Sequence, residues 1–240
     1  MATYQVRLTH SKEIATGTMA FHFNKPHDFN FKPGQAVDLV LINPESQSAE
    51  PLRHTFSIAS APYQEGLEIA TRMRDTAYKR LLRELKSGTA ATIEGPFGSL
   101  TLHKDIARPA VFIAGGIGIT PFISILRQAT RDKTPQQLVL LYTNRRPEDS
   151  AYLDELQRLD KQNERFQLVA TMTDIGRSVL PWKGKTRSLD TAFVEDATGG
   201  LVAPIFYTAG PPGMVETVRS ILAGIGASEN DIRSEDFYGY

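Results

Sequence analysis

Along the first hundred residues, apolar and polar positions alternate in short runs, covering residues 4–8, 19–23, 36–42, 55–58 and 67–71. A period of two puts successive side chains on opposite faces of a strand. Turn-forming clusters separate the runs: Asn24-Lys25-Pro26, Lys32-Pro33-Gly34 and Asn43-Pro44-Glu45. Many short strands at close spacing predict a closed antiparallel barrel. One helix interrupts them. Tyr78, Leu81, Leu82 and Leu85 fall at i, i+3, i+4 and i+7, and Gly88 is expected to end it.

From about Pro109 the rhythm changes. Residues 110–114 form a continuous apolar run, as a parallel strand covered on both faces requires. A helix is expected over 121–128 and a second buried strand over 138–142. Tyr152, Leu153, Leu156 and Leu159 mark another helix, 166–172 and 205–208 further strands, and Val215, Val218, Ile221 and Leu222 a last helix. Alternating elements of this length predict an α/β doubly wound parallel sheet. The expected division is a barrel domain over residues 1–106 and an α/β domain over 107–240. Residues 176–188 are polar and basic around Trp182 and read as a long loop anchored by that indole.

Composition narrows the chemistry. Of 240 residues, 41% are hydrophobic and 22% charged, as in a soluble globular protein. The 27 basic and 27 acidic side chains cancel, which argues against a general nucleic-acid binder. With no cysteine, these residues hold no disulfide, thiolate zinc site, catalytic thiol or cysteine-ligated iron–sulfur cluster. The first residues show no signal-peptide core, and the longest apolar runs are too short to span a bilayer, so a cytoplasmic protein without a membrane partner is expected. The five histidines show no metal-ligand spacing. Neither a Gly-x-Ser-x-Gly elbow nor a Gly-x-x-x-x-Gly-Lys phosphate loop occurs.

Two glycine-rich turns carry candidate chemistry. In Gly115-Gly116-Ile117-Gly118-Ile119-Thr120-Pro121 the glycines follow an apolar strand, Thr120 is expected as helix N-cap and Pro121 as the first helical residue. The exposed N–H groups of such a helix start suit a pyrophosphate. Gly210-Pro211-Pro212-Gly213 follows a later strand, and two such turns at the carboxyl ends of parallel strands could line one crevice. This is not the Rossmann Gly-x-Gly-x-x-Gly pattern, because Pro121 stands at the third glycine position.

Five motifs recur in order: Arg53-His54-Thr55-Phe56-Ser57-Ile58-Ala59-Ser60, Gly95-Pro96-Phe97-Gly98, the 115–121 turn, Gly210-Pro211-Pro212, and Glu235-Asp236-Phe237. Together they resemble the ferredoxin–NADP reductase superfamily, as a stand-alone FAD- and NAD(P)-binding reductase without an iron–sulfur domain. The resemblance covers nearly the whole chain. It implies that Phe56 packs on the flavin and that the Ser57 hydroxyl bonds near its reactive nitrogen. The family pattern has arginine two residues before the aromatic. Here His54 stands there and Arg53 one further back, so Arg53, His54 or both are expected at the flavin phosphate, beside Thr55. The pyrophosphate is expected at Thr71, Arg72 and Met73 and at the helix start, Ala77, Tyr78 and Lys79. The alternative for Lys79 and Arg80 is the solvated face of an amphipathic helix, the commoner case for such residues. Gly116, Ile117, Gly118, Thr120, Gly210, Pro211 and Pro212 are expected at the nicotinamide dinucleotide.

Ser57, Glu235 and Phe237 are the implied catalytic group, with Phe237 covering the second flavin face and Glu235 near the site of hydride transfer. Tyr240 extends beyond and takes or shares the stacking role, unless the tail is frayed. Ala209 stands where many members have cysteine, which is expected to slow or alter turnover without abolishing it. The implied cofactor is FAD, with FMN as the alternative, and the co-substrate NADPH or NADH. Arg145 and Arg146 could hold a 2′-phosphate, while Glu148 or Asp149 could hold a ribose diol, and Asp149 or Ser150 could instead cap the helix that follows. The balance leans to NADPH. Electrons would pass to a separate acceptor, such as a ferredoxin or haem protein. Arg72, Arg74, Lys79, Arg80, Arg83 and Lys86 against Asp75 and Glu84 offer a docking face or a solvated one. The alternatives are a free-flavin or ferric-chelate reductase, and a non-catalytic module on the same fold.

Overall fold

The computed structural model describes residues 1–42 and 51–238. The expected turn at Asn43-Pro44-Glu45, and Tyr240, lie outside the described residues. Six strands form the first sheet: β1 (Thr3–Ala15), β2 (Thr18–Asn24), β3 (Ala36–Ile42), β4 (Pro51–Ser57), β5 (Gly66–Arg72) and β6 (Ala90–Phe97). Their order is β4-β3-β6-β1-β2-β5, and every pairing is antiparallel. An antiparallel bridge between Ile58 and Ile69 joins the two edges and closes the barrel.

Alternation decides which side chains fill it. Val37, Leu39 and Leu41 pair with Phe56, His54 and Leu52, so these six share one face. The first three and Phe56 pack with Phe21, Phe23, Leu67, Ile69 and Ile93 in the barrel core. The residues that alternate with Leu67 and Ile69 on β5, Glu68 and Ala70, face away from the barrel core. The helix α1 (Ala77–Glu84) covers the barrel with Tyr78 and Leu82. It ends at Leu85, before Gly88, which makes the left-handed turn (φ 86°) into β6.

The second sheet is β7 (Ala110–Gly115), β8 (Leu138–Asn144), β9 (Phe166–Met172), β10 (Ile205–Gly210) and β11 (Ile232–Asp236), ordered β11-β10-β7-β8-β9 and parallel throughout. Even positions of β7 (Ala110, Phe112, Ala114) pack under α2 (Thr120–Asp132) and α3 (Leu153–Gln162). Odd positions (Val111, Ile113) pack under α4 (Thr191–Thr198) and α5 (Pro212–Gly224). The two sheets meet on the α2 side, where Ala20, Ala59, Ala70 and Leu100 join the same core as Phe122 and Ile123. Small outward residues on the barrel let the helix approach closely.

Candidate functional site

Four parallel strands release their chains at one level. The turns after β7, β8, β9 and β10 place Gly115–Ile117, Thr143–Arg145, Thr173 and Pro211 around a cleft of about 720 Å³. Ligands of open α/β sheets sit at such carboxyl ends. The barrel supplies the facing wall: Arg72, Met73 and Arg74 after β5, and Thr16 and Gly17 from the β1–β2 hairpin. That hairpin reaches across the gap. Thr16 N donates to Glu148 O at 2.8 Å, and Met73 N donates to Gly17 O at 2.8 Å.

The glycine turn is tighter than expected. Gly116–Ile119 forms a single 3₁₀ turn that runs directly into α2. Thr120 is therefore helical and not an N-cap. Its buried hydroxyl donates to Ile117 O at 3.0 Å, and Pro121 becomes the second helical residue. The free N–H groups belong to the 116–118 turn instead. Gly116 has φ 54° with open space where a Cβ would stand, on the cleft side. Gly118 serves packing: a Cβ there would collide with the Ala209 carbonyl oxygen. Gly116, Ile117, Arg145 and Pro211 thus line the cleft with Arg72 and Met73, while Gly118 and Thr120 lie behind it. Pro212 opens α5 beside them.

On β4 the alternation separates residues that were expected together. Arg53 and Thr55 share the face opposite His54 and Phe56. Arg53 donates to both Glu94 carboxylate oxygens (2.5 and 3.0 Å) and to Asp38 (3.1 Å), and Thr55 Oγ1 donates to Asp38 at 2.5 Å. The guanidinium is thereby committed to a structural ion cluster, so Arg53 does not stand with His54. The His54 ring stacks on Phe56 (4.6 Å between centroids, 17° between planes), with Tyr78 at 5.3 Å, and burial pushes its imidazole pKa down. Phe56 is only 2% exposed, with its ring turned into the barrel core. Ser57 points the other way, towards the seam with the second sheet. Its hydroxyl is buried and has no hydrogen-bond partner.

Lys79 departs from the solvated-face reading. It is 1% exposed, and its Nζ donates to Thr71 Oγ1 at 2.8 Å and to Arg72 O at 2.9 Å. Burial pushes its ammonium pKa down to about 8. Ala77 is exposed at the start of α1. At the carboxyl end, β11 pairs in register with β10, setting Glu235 beside Ala209, and burial pushes the Glu235 carboxyl pKa up. Phe237 is buried, and its N–H donates to Gly210 O at 2.9 Å.

Sequence reasoning missed Asn144, Thr173, Thr16, Gly17 and Met214 as cleft residues. Asn144 matters most, because its Nδ2 is buried without a partner. A buried unpaired donor is costly unless a ligand or water meets it. The available signal was positional: Asn144 is the last residue of β8, one past Thr143, which pairs with Gly115. The unpaired Asn144 and Ser57 groups and the open face of Gly116 fit a flavin and a dinucleotide. No group of three or more potential metal-binding side chains occurs among the described residues. No helix among them is long and apolar enough to cross a membrane.

Residues 3–120 match the FAD-binding domain family, and residues 112–220 the oxidoreductase NAD-binding domain family. Ferredoxin–NADP reductase B of Sorangium cellulosum is 31% identical over 214 residues, which is 87% of this chain and 86% of that protein. Terephthalate 1,2-dioxygenase reductase component 2 of Comamonas is 27% identical over 209 residues, 86% of this chain and 59% of its own length. The chain thus spans about three fifths of such reductase components, as it does of the propane 2-monooxygenase reductase of Rhodococcus jostii (57%). The crystal structure of a ferredoxin NADP⁺ reductase from Neisseria gonorrhoeae with bound FAD and NADP has the same fold, with a TM-score of 0.82 over 98% of each chain at 20% identity. With its barrel, its parallel sheet and these relatives, the chain belongs to the ferredoxin–NADP reductase superfamily.

Proposed function

We propose that this chain is an NAD(P)H-dependent flavoprotein reductase that passes electrons to a separate acceptor, such as a ferredoxin or a haem protein. The observation that carries the reading is the shared cleft, in which Arg72–Arg74 of the barrel face the Gly115–Ile117 turn and Pro211 of the parallel sheet. Its two walls are the two segments that family resemblance assigns to flavin and coenzyme. A bound flavin supplies hydride acceptance and one-electron release. The chain's residues bind and orient. Free N–H groups of the 116–118 turn and the arginines at 72 and 74 receive phosphates. The Ser57 hydroxyl and the Asn144 amide offer unspent hydrogen-bonding capacity, and the aromatic Phe237 beside Gly210 closes the seam against water.

NADPH is favoured as co-substrate. Arg146 is held by Asp149 through two bonds of 2.8 Å, and the Glu148 carboxylate accepts from Ser178 Oγ (2.7 Å) and Val179 N (3.1 Å). The acids that could bind a ribose diol are occupied. Arg145 is exposed on the cleft, and its side chain has no partner among the described residues, which suits a 2′-phosphate.

The same reading divides the chain into a FAD-binding part, 1–106, and an NAD(P)-binding part, 107–240, and places its work in the cytoplasm, where reduced coenzyme is supplied. The deciding experiment is an absorbance spectrum of the purified protein, then anaerobic titration with NADPH and NADH separately. A visible flavin band bleached at lower NADPH than NADH is expected. A colourless protein that takes up no FAD, or a flavin that neither coenzyme bleaches, would overturn the reading.

A further inference from the structure

Beneath the cleft, α2 carries two side chains that leave their own sheet. Ser124 and Arg127, three residues apart, lie on one helix face. Ser124 Oγ donates to Ser60 O at 2.7 Å, and Arg127 Nη1 donates to Ala59 O at 2.8 Å. Both carbonyls belong to the chain that continues from Ser57. The same Nη1 donates to Glu68 Oε2 at 2.8 Å, and Tyr152 Oη donates to Glu68 Oε1 at 2.7 Å. Arg127 Nε and Nη2 meet both oxygens of Glu155 on α3, at 2.7 and 2.8 Å. The guanidinium also lies 5.2 Å from the centre of the Tyr152 ring. Glu68 in turn holds the 59–60 segment, since Ala59 N donates to Glu68 O at 2.8 Å and Glu68 N donates to Ser60 Oγ at 3.0 Å.

Arg127 and Glu68 are buried, with side chains 7% and 6% exposed. Burying such charges is an inefficient route to stability, because desolvation offsets much of the attraction. What the cluster does provide is direction: planar, bidentate pairing fixes positions more tightly than apolar contact. One end of α2 grows out of the Gly116–Ile119 turn, and its middle grips the residues after Ser57. We propose that Arg127, acting through Glu68 and the Ala59 carbonyl, is a positioning residue that sets the spacing between the flavin segment and the coenzyme turn. It does not line the cleft. The inference rests on the reductase reading above. Hydride transfer needs the reacting atoms near contact, and an error of about 1 Å can lower the rate about a hundredfold.

The test uses the FAD-loaded protein with Arg127→Lys, Arg127→Met and Glu68→Gln. Arg127→Met should keep FAD affinity and the KM for NADPH within about threefold. Its rate of flavin reduction should fall about 10- to 100-fold, with a larger isotope effect from NADPH deuterated at the transferred position. Arg127→Lys, which retains a charge but loses the fork, should fall between. Independently of activity, hydrogen exchange in the flavin-free protein should rise at the Ala59 and Ser60 amides in Arg127→Met, with the barrel strands still protected. Unchanged reduction rates with unchanged exchange at Ala59 and Ser60 would overturn the proposal, as would a rise in KM alone. If Arg127→Met fails to fold, the same readouts on Arg127→Lys and Glu68→Gln decide. Failure of the unsubstituted protein to be reduced would instead remove the reductase reading, while the exchange measurement would still report on the clamp.

Discussion

The buried ammonium of Lys79 makes a prediction whose sign is set by linkage. Its pKa falls from 10.5 in the unfolded chain to about 8 in the folded one, through burial. Below both values the two states are equally protonated. Between them the unfolded chain holds a proton that the folded chain has released, so stability rises with pH across that window. At about 1.4 kcal/mol per pKa unit, the gain between about pH 7 and about pH 10 is about 2.5 kcal/mol. Lys79→Met removes this titration. The absolute stability of that variant mixes relief of a buried charge with loss of the bonds to Thr71 and Arg72, so the informative quantity is the difference in pH slope. Urea unfolding of the flavin-free protein, followed by fluorescence of Trp182, the single tryptophan, measures it. The unsubstituted protein should gain about 2.5 kcal/mol relative to Lys79→Met over that range. Parallel curves would refute the reasoning, and would mean that Lys79 reaches water in the native state.

Three further outcomes are expected. Arg145→Ala should raise the KM for NADPH about tenfold, the scale of one charge-assisted bond, while moving that for NADH less than about twofold; equal effects on both coenzymes would remove its 2′-phosphate role. Gly118→Ala should lower stability by about 2 kcal/mol because the new Cβ meets the Ala209 carbonyl, whereas Gly116→Ala should cost about 1 kcal/mol of left-handed strain and weaken coenzyme binding instead. Thermal melts and coenzyme titrations separate the two, and a Gly118→Ala protein as stable as its parent would contradict the packing. The double reversal Arg80→Glu and Arg83→Glu on the exposed face of α1 should raise the KM for a ferredoxin severalfold and leave reduction of ferricyanide by NADPH unchanged. Unaltered ferredoxin kinetics would exclude that docking face.

Periodicity exposed most of the fold. The strands over 36–42 and 166–172 begin and end where their alternation and apolar runs do. The strand β6 escaped because Ala90-Ala91-Thr92-Ile93-Glu94-Gly95 offers few apolar positions, and its place between β3 and β1 comes from long-range pairing. The helix α4 and the strand β11 are short and weakly patterned, and packing against the sheet sustains them. At the site, motifs revealed which segments converge but not which way each side chain points. Arg53 and His54 are neighbours in sequence, yet the pleat sends one to Asp38 and Glu94 and the other to Phe56 and Tyr78. From sequence, Lys79 stood either at the flavin pyrophosphate or on the solvated face of an amphipathic helix. Only the position of α1 against β5 shows that it points inward. Asn144 carries no motif, and its importance emerges from the level at which β8 stops.

The hairpin bond from Thr16 to Glu148 uses main-chain atoms at both ends. Any amino acid but one can supply that donor, so alanine scanning of the tip would find nothing there. Proline at position 16 deletes the N–H outright and would unlatch the bar that now spans the mouth. That single change would part the β1–β2 hairpin from the turn after β8 while leaving every other side chain lining the crevice as it is.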